Sequence, residues 1–192
     1  MDVTFWNDRY AAAHHVYGEE PNAFLMEAAS HIPSGPVLCL AEGEGRNAVY
    51  LATLGHRVTA VDQSEVGLAK ALRLAAAHGM EIHTVTADLA DYEIAADVWA
   101  GIIAIFAHLP PALRQRIHGQ AAAGLQPGGV FILEAYTPAQ LAYDAGGPKA
   151  PELLMTLAGL EFQIARELER DVTEGTGHTG RGAVVQLLAR KV

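Results

Sequence analysis

The sequence predicts an α/β fold, a doubly wound and mostly parallel seven-stranded sheet finished by an antiparallel pair. Three observations predict it. Apolar strand-like runs alternate with helical stretches from Val37 to Ala135. The run Gly101–Phe106 is apolar throughout, as suits a strand buried on both faces. Two alternating segments, Phe162–Val172 and Ala183–Arg190, are joined only by the polar, glycine-rich Thr173–Gly182, a hairpin-type link between antiparallel strands.

The elements follow in order. The first 30 or so residues are mixed and aromatic, with Phe5, Trp6, Tyr10, Tyr17 and Phe24. Ala23–His31 reads as helical and ends at Pro33 and the Ser34-Gly35-Pro36 turn. Val37–Leu40 is strand one. Arg46–Leu54 is a helix closed by Gly55. Arg57–Val61 is strand two. Ser64 caps a helix running to about His78, which Gly79 stops. Ile82–Thr86 is strand three and Gly101–Phe106 strand four. Pro111 begins a helix through about Ala123, and the turn Leu125–Gly129 delivers strand five, Val130–Ala135. A loop over Tyr136–Ala150, a short helix over Glu152–Leu157 and the final two strands complete the chain. The expectation is a single domain over 1–192, with 1–33 as a helical cap or lid and 34–192 as the core.

Composition narrows the function. Hydrophobic residues are 51% of 192, enough for a substantial core. No apolar run reaches the roughly 18 residues of a membrane span. The net charge is −9 and the 13 Lys and Arg are scattered, which argues against a nucleic-acid partner. Cys39 is the single cysteine and lies in an apolar strand, an inert core thiol in a reducing compartment. The start MDVTFWNDRY lacks a signal pattern, so a cytoplasmic protein is expected. His14 and His15 are neighbours on different helix faces, with no ligand set to join them, so no metal is expected.

The chemistry concentrates in Val37–Asp62. Gly43-Glu44-Gly45-Arg46-Asn47-Ala48 fits G-x-G-x-x-A after a strand and before a helix. Gly43, Gly45 and Ala48 let backbone approach a ligand and let the helix pack on the sheet. The helix start at Arg46 offers N–H groups to an anion. Asp62 can accept from the two hydroxyls of a ribose. An adenosine-containing cofactor is the economical ligand. The dinucleotide reading, an NAD-dependent oxidoreductase, needs a second mononucleotide half, and an antiparallel pair stands in its place.

From Ser34 onward the chain resembles the class I S-adenosylmethionine-dependent methyltransferases, with their Rossmann-like fold. Leu40–Gly45 matches the first glycine loop, Val61-Asp62 the ribose acid, Ala87-Asp88-Leu89 the acid beside the adenine amino group. Ile105–Leu109 matches the segment beside the transferred methyl, and Leu125–Gly129 the turn into strand five. The ends are similar to small methyltransferases of the tellurite-resistance and thiopurine type, through FWNDRY and EGTGHTGRGAVVQLLARK. The resemblance implies S-adenosylmethionine as cofactor, S-adenosylhomocysteine as product, and Ala41, Glu42, Gly43, Gly45, Asn47, Asp62, Gln63, Asp88, Leu89 and Phe106 as cofactor-binding residues. It implies a small soluble acceptor, a metalloid oxyanion or a thiol compound, and a monomer or homodimer. The family often has an acid where Cys39 stands and a glycine where Ala41 stands. Glu42 is the candidate stand-in for holding the cofactor's ammonium. A non-enzymatic S-adenosylmethionine-binding module is the other class this altered loop leaves open.

Several side chains have two readings each. His108 orients or deprotonates an acceptor, or is a helix-entry histidine. His178 and Arg181 hold an anionic acceptor, or are charges on a solvated hairpin tip. Tyr136, where strand five ends, completes the candidate catalytic set. Trp6, Tyr10 and Tyr17 cover the site as a lid, or pack the cap on the domain.

Overall fold

The computed structural model describes residues 2–142, 157 and 159–192. Seven strands form one sheet: β1 (Pro36–Leu40), β2 (Arg57–Asp62), β3 (His83–Thr86), β4 (Trp99–Ile105), β5 (Leu125–Tyr136), β6 (Leu160–Glu174) and β7 (His178–Lys191). Their order is β3-β2-β1-β4-β5-β7-β6. β1 to β5 are parallel, and β7 runs antiparallel between β5 and β6. The doubly wound sheet with its antiparallel end is therefore the fold that was expected.

Alternation along each strand divides the core in two. Val37 and Cys39 join Ala60, Ile103, Ile132 and Leu188 on one face, under α2 (Ala23–Ala28) and α3 (Arg46–Thr53). Leu38 and Leu40 join Ile102, Phe131, Leu133 and Leu187 on the other, under Ile117 and Ala121 of α5 (Pro111–Gly124). α4 (Glu65–Ala77) leans on α3 through Val49, Leu74 and Ala75. β4 is buried at all seven positions, which is why its sequence shows no period. No helix among the described residues is long and apolar enough to cross a membrane.

Three boundaries moved for physical reasons. Leu125–Gly129, read as a turn, is the start of β5, but Leu125 pairs with Trp99 and Val130 with Gly101. The residues between are a bulge, and at Gly129 a Cβ would lie 2.7 Å from the Trp99 carbonyl oxygen. The polar link Thr173–Gly182 is mostly strand: Asp171 pairs with Arg181 and Glu174 with His178, leaving only 175–177 as the turn. Edge exposure made this stretch look like a loop, because β6 has few buried positions. The helix expected over Ala23–His31 breaks into α2 and a 3-10 turn, Ala29–His31, and a separate helix, α1 (Val3–Tyr10), precedes it. The helix expected over Glu152–Leu157 lies outside the described residues except for Leu157.

Candidate active site

The carboxyl ends of β3, β2, β1 and β4 and the start of the antiparallel β7 meet along one sheet edge, where ligands bind in open α/β sheets. A cavity of about 900 Å³, open to solvent, lies there. Asp62, Gln63, Asp88 and Leu89 line it at the β2–β3 side. Phe106, His108 and His178 line it at the β4–β7 side, with Ala41, Glu42, Arg46 and Asn47 between. Trp6, Tyr10 and Tyr17 of the N-terminal segment complete the wall. Ala41 and Phe106, at the ends of β1 and β4, both have φ 51°. That left-handed conformation is costly for residues with a Cβ and recurs where chains build functional sites. A glycine at position 41 would adopt it without that cost.

Asp62 is buried at 6% exposure. Its two oxygens take the N–H of Gly43 and of Ser64, each at 2.8 Å. Burial raises its pKa, and these backbone N–H bonds oppose the rise. A carboxylate has about four lone-pair sites, so two remain for a pair of hydroxyls. Asp88 is exposed and its Oδ1 takes the N–H of Ala90 at 2.8 Å. Arg116 of α5 holds the same turn by donating to the carbonyls of Leu89, Ala90 and Tyr92.

The two loop glycines are also required by packing within the protein. A Cβ on Gly43 would lie 2.5 Å from the Tyr10 hydroxyl, so the close approach is by a phenol of the N-terminal segment. A Cβ on Gly45 would lie 2.4 Å from the Ala71 Cβ. Gly45, at φ 94°, is where the first turn of α3 packs on α4.

Glu42, the candidate stand-in, lies against the start of α3. Its Oε1 accepts from the N–H of Asn47 at 3.0 Å and of Ala48 at 2.7 Å, the first turn of α3. Burial pushes its pKa up to about 7, against those N–H bonds and the Arg46 charge. Cys39 is fully buried beside it, and burial drives the thiol up as well. The sign of the consequence is fixed by linkage. The folded protein keeps the Glu42 proton where the unfolded chain has lost it, so this contribution is present below about pH 4.5 and lost as pH rises to about 7. Asp62 acts in the same direction. Glu174 acts oppositely, its contribution present above about pH 4.5 and lost as pH falls toward 2. The thermal midpoint of wild type is expected to fall relative to that of Glu42→Gln between about pH 5 and 7. Parallel curves in calorimetry would show that Glu42 does not titrate there.

Arg46 is 8% exposed. Its Nη2 donates to Glu174 Oε2 at 2.5 Å, and its Nη1 is buried with no partner among the protein atoms. A buried guanidinium nitrogen left empty in a cavity wall is costly unless a ligand fills it. Glu174 belongs to a larger buried set. It also accepts from Arg170 and from Asn22, each at 2.9 Å. Arg170 donates to both oxygens of Glu134, at 2.8 and 2.6 Å, and Gln186 and Asn22 complete that carboxylate. Burial would raise the pKa of Glu174, but His178 and the two arginines bring it down to about 2.

The candidate catalytic residues divide. His178 packs against Tyr17 and Phe106 at ring distances of 4.5 and 4.7 Å. Tyr136 stands behind them, 4.8 Å from the Phe106 ring and stacked 6.0 Å from His108, and it does not line the cavity. His108 lines it but is exposed. Arg181 is not brought to the cavity with them: it sits on β7, half exposed, paired with Glu169 and Asp171 of β6. It is away from the cavity because it lies three residues along a strand from His178, not in a flexible tip.

The N-terminal segment is tied down. Lys70 of α4, 5% exposed, donates to Glu44 at 2.5 Å and to the carbonyls of Tyr10, Ala12 and His14. Glu44 in turn accepts from the N–H of Val16 and Tyr17. The sequence reading missed Arg46 as a side chain, Lys70, Glu134 and Glu174. Two of these carry a readable signal, since Lys70 interrupts an apolar helix face and Glu134 an apolar strand.

Residues 37–129 match the family model of a methyltransferase domain. No curated protein matches the sequence significantly. The fold is similar to that of TehB from Haemophilus influenzae, with TM-score 0.75 and 22% identity over 99% of this chain and 67% of that one. It is similar to a protein solved in work on the conversion of a disulfide bond into a thioacetal group during echinomycin biosynthesis (TM-score 0.74, 19% identity, 99% and 93% covered). A geranyl diphosphate methyltransferase solved with its diphosphate and sinefungin is comparable (TM-score 0.70, 15% identity, 99% and 98% covered). At these identities the likeness speaks for the fold.

Proposed function

We propose that this chain, which carries an S-adenosylmethionine-dependent methyltransferase domain, moves a methyl group onto a small acceptor entering between Phe106, His108 and His178. One observation carries the reading. Arg46 with its unfilled Nη1 and Glu42, whose carboxyl group ionises near pH 7 and more readily beside an ammonium, present opposite charges in the middle of the cavity wall. An amino-acid zwitterion has the matching pair side by side, whereas the pyrophosphate that a nicotinamide dinucleotide places at such a loop is anionic throughout and would face Glu42. The residues therefore fit the cofactor: Asp62 for the ribose hydroxyls, Asp88, Gln63 and Leu89 around the base, Glu42 for the ammonium and Arg46 for the carboxylate.

When bound, S-adenosylmethionine supplies a methyl group on a positively charged sulfur, already activated for in-line displacement. The protein is left with alignment and exclusion of water, and alignment of this kind is worth roughly 7–11 kcal/mol in favourable cases. Asp62 at the end of β2 and Arg46 at the start of α3 hold two ends of the cofactor. Trp6, Tyr10 and Tyr17 shut the cavity from the N-terminal side, and Phe106 narrows it at the β4 end. Of the two acceptor classes implied by resemblance, the oxyanion loses its main support with Arg181 turned away to Glu169 and Asp171. The thiol class needs no second cation.

The experiment is a titration of wild type and Arg46→Met with S-adenosylhomocysteine and with 5′-methylthioadenosine, which lacks the amino-acid part. Arg46→Met is expected to weaken the first roughly tenfold or more, as loss of a charged hydrogen bond does, and to leave the second unchanged. Equal loss for both ligands would refute the zwitterion reading. A non-enzymatic binding module would show the same affinities with no label transferred from the methyl donor to any acceptor.

A further inference from the structure

His178 stands apart from the other candidate residues in how it is left unsatisfied. Its Nδ1 is buried without a hydrogen-bond partner, and the nearest carboxylate oxygen, Glu174 Oε2, is 3.9 Å away. Its side chain is 13% exposed. Tyr17, Phe106 and Tyr136 surround the ring at 4.5, 4.7 and 5.6 Å. A histidine kept only for packing would have its polar edge satisfied. Here the edge looks toward a carboxylate that cannot move freely, because Arg46, Arg170 and Asn22 hold it. The ring needs to shift by only about 1 Å to bring Nδ1–H into hydrogen-bond range of Glu174. Catalytic hydrogen bonds are often this long before the ligand arrives.

Building on the methyl-transfer reading, we propose that His178 is the proton acceptor of this cavity and Glu174 its positioning residue, so that the acceptor enters with a proton on its reacting atom, as a thiol or hydroxyl compound. An imidazole that gives Nδ1–H to a carboxylate has its lone pair on Nε2, at the opposite side of the ring. The acceptor's lone pair forms the bond to the methyl carbon as the carbon–sulfur bond breaks and its electron pair returns to sulfur. The acceptor's proton passes to Nε2 and then to water. An oxyanion would need no such base. His108 is the other histidine on the cavity, and its exposure to solvent makes it the weaker choice. The titratable groups around His178 are Glu174 on β6, Tyr17 on the N-terminal segment and Tyr136 on β5, with Arg46 and Arg170 reaching it only through Glu174.

The test is nitrogen-15 NMR of the histidine side chains in the intact wild-type protein without cofactor, with His178→Gln used to assign the signal. The expected result is a neutral ring protonated at Nδ1. A ring protonated at Nε2 would overturn the proposal. Glu174→Gln is expected to shift the ring toward a mixture of the two forms, and an unchanged Nδ1–H form would remove Glu174 from the scheme. A second readout carries its own control for misfolding, an acceptor that needs no base. Label transfer from S-adenosylmethionine to 2-mercaptoethanol and to iodide, an acceptor with no proton, is compared in wild type and His178→Gln. Selective loss with the thiol supports the proposal, and equal loss with both overturns it. Because the NMR measurement uses the protein alone, its failure leaves the cofactor titrations standing and is told apart from a failure of the methyl-transfer reading.

Discussion

Replacing Lys70 by methionine is expected to lower the stability of the protein by about 3–5 kcal/mol, the cost of stranding one member of a buried ion pair. The ammonium is the single group that joins Glu44 to the carbonyls of Tyr10, Ala12 and His14. Without it a carboxylate 4% exposed faces no cation, and three carbonyls lose their donor. The methionine fills the same space, so the loss reads charge rather than volume. Denaturant unfolding measures it, and limited proteolysis shows where it acts: cleavage should appear first near residues 11–18. A Lys70→Met, Glu44→Gln double variant should recover part of the loss, since the stranded charge is gone. If the single variant loses under about 1 kcal/mol, the pair is not the fastening that holds the N-terminal segment over the cavity.

The second large effect is on affinity. Asp62→Asn is expected to weaken both S-adenosylhomocysteine and 5′-methylthioadenosine by roughly 100-fold, because two hydrogen bonds to a charged acceptor at about 1.5–3 kcal/mol each are compromised together. Asparagine has nearly the shape of aspartate, but its amide nitrogen cannot accept. One of the N–H groups of Gly43 and Ser64 that Asp62 now satisfies would face another donor. The pattern across ligands is the discriminating part: Asp62 acts on the ribose, which both ligands have, and Arg46 on the amino-acid end, which only one has. Titration calorimetry reads both. Loss confined to the longer ligand would move Asp62 away from the sugar.

Much of this was legible in the chain. The strand–loop–helix signature at Val37–Asp62 rests on local rules, apolar runs and glycine spacing, and those rules hold wherever both partners lie close in sequence. The same holds for the ends of β2, β3 and β4, which bring Asp62, Asp88 and Phe106 to one cavity. Reading failed where the partner is distant. Arg181 looked available because its pairing with Glu169 and Asp171 depends on the register of β6 against β7. The approach of Tyr10 to Gly43 was equally unreadable, because nothing in that neighbourhood announces a residue thirty-three positions earlier. Arg46 was noted for its backbone only. Its side chain gains meaning from Glu174, 128 residues away. Strand ends are shaped by solvent exposure, and an exposed edge strand has the composition of a loop.

The charged chain Glu134–Arg170–Glu174–Arg46 bears on how this protein could change over generations. Glu134 is fully buried in the middle of the sheet, and Gln186 and Asn22 flank it. None of these three touches the cavity, yet each sets where Arg46 and Glu174 stand. Substitutions at positions 22, 134, 170 and 186 would reach Arg46 and Glu174 without changing any residue that lines the cavity. The wall of this cavity is thus held in place partly by residues that never face it.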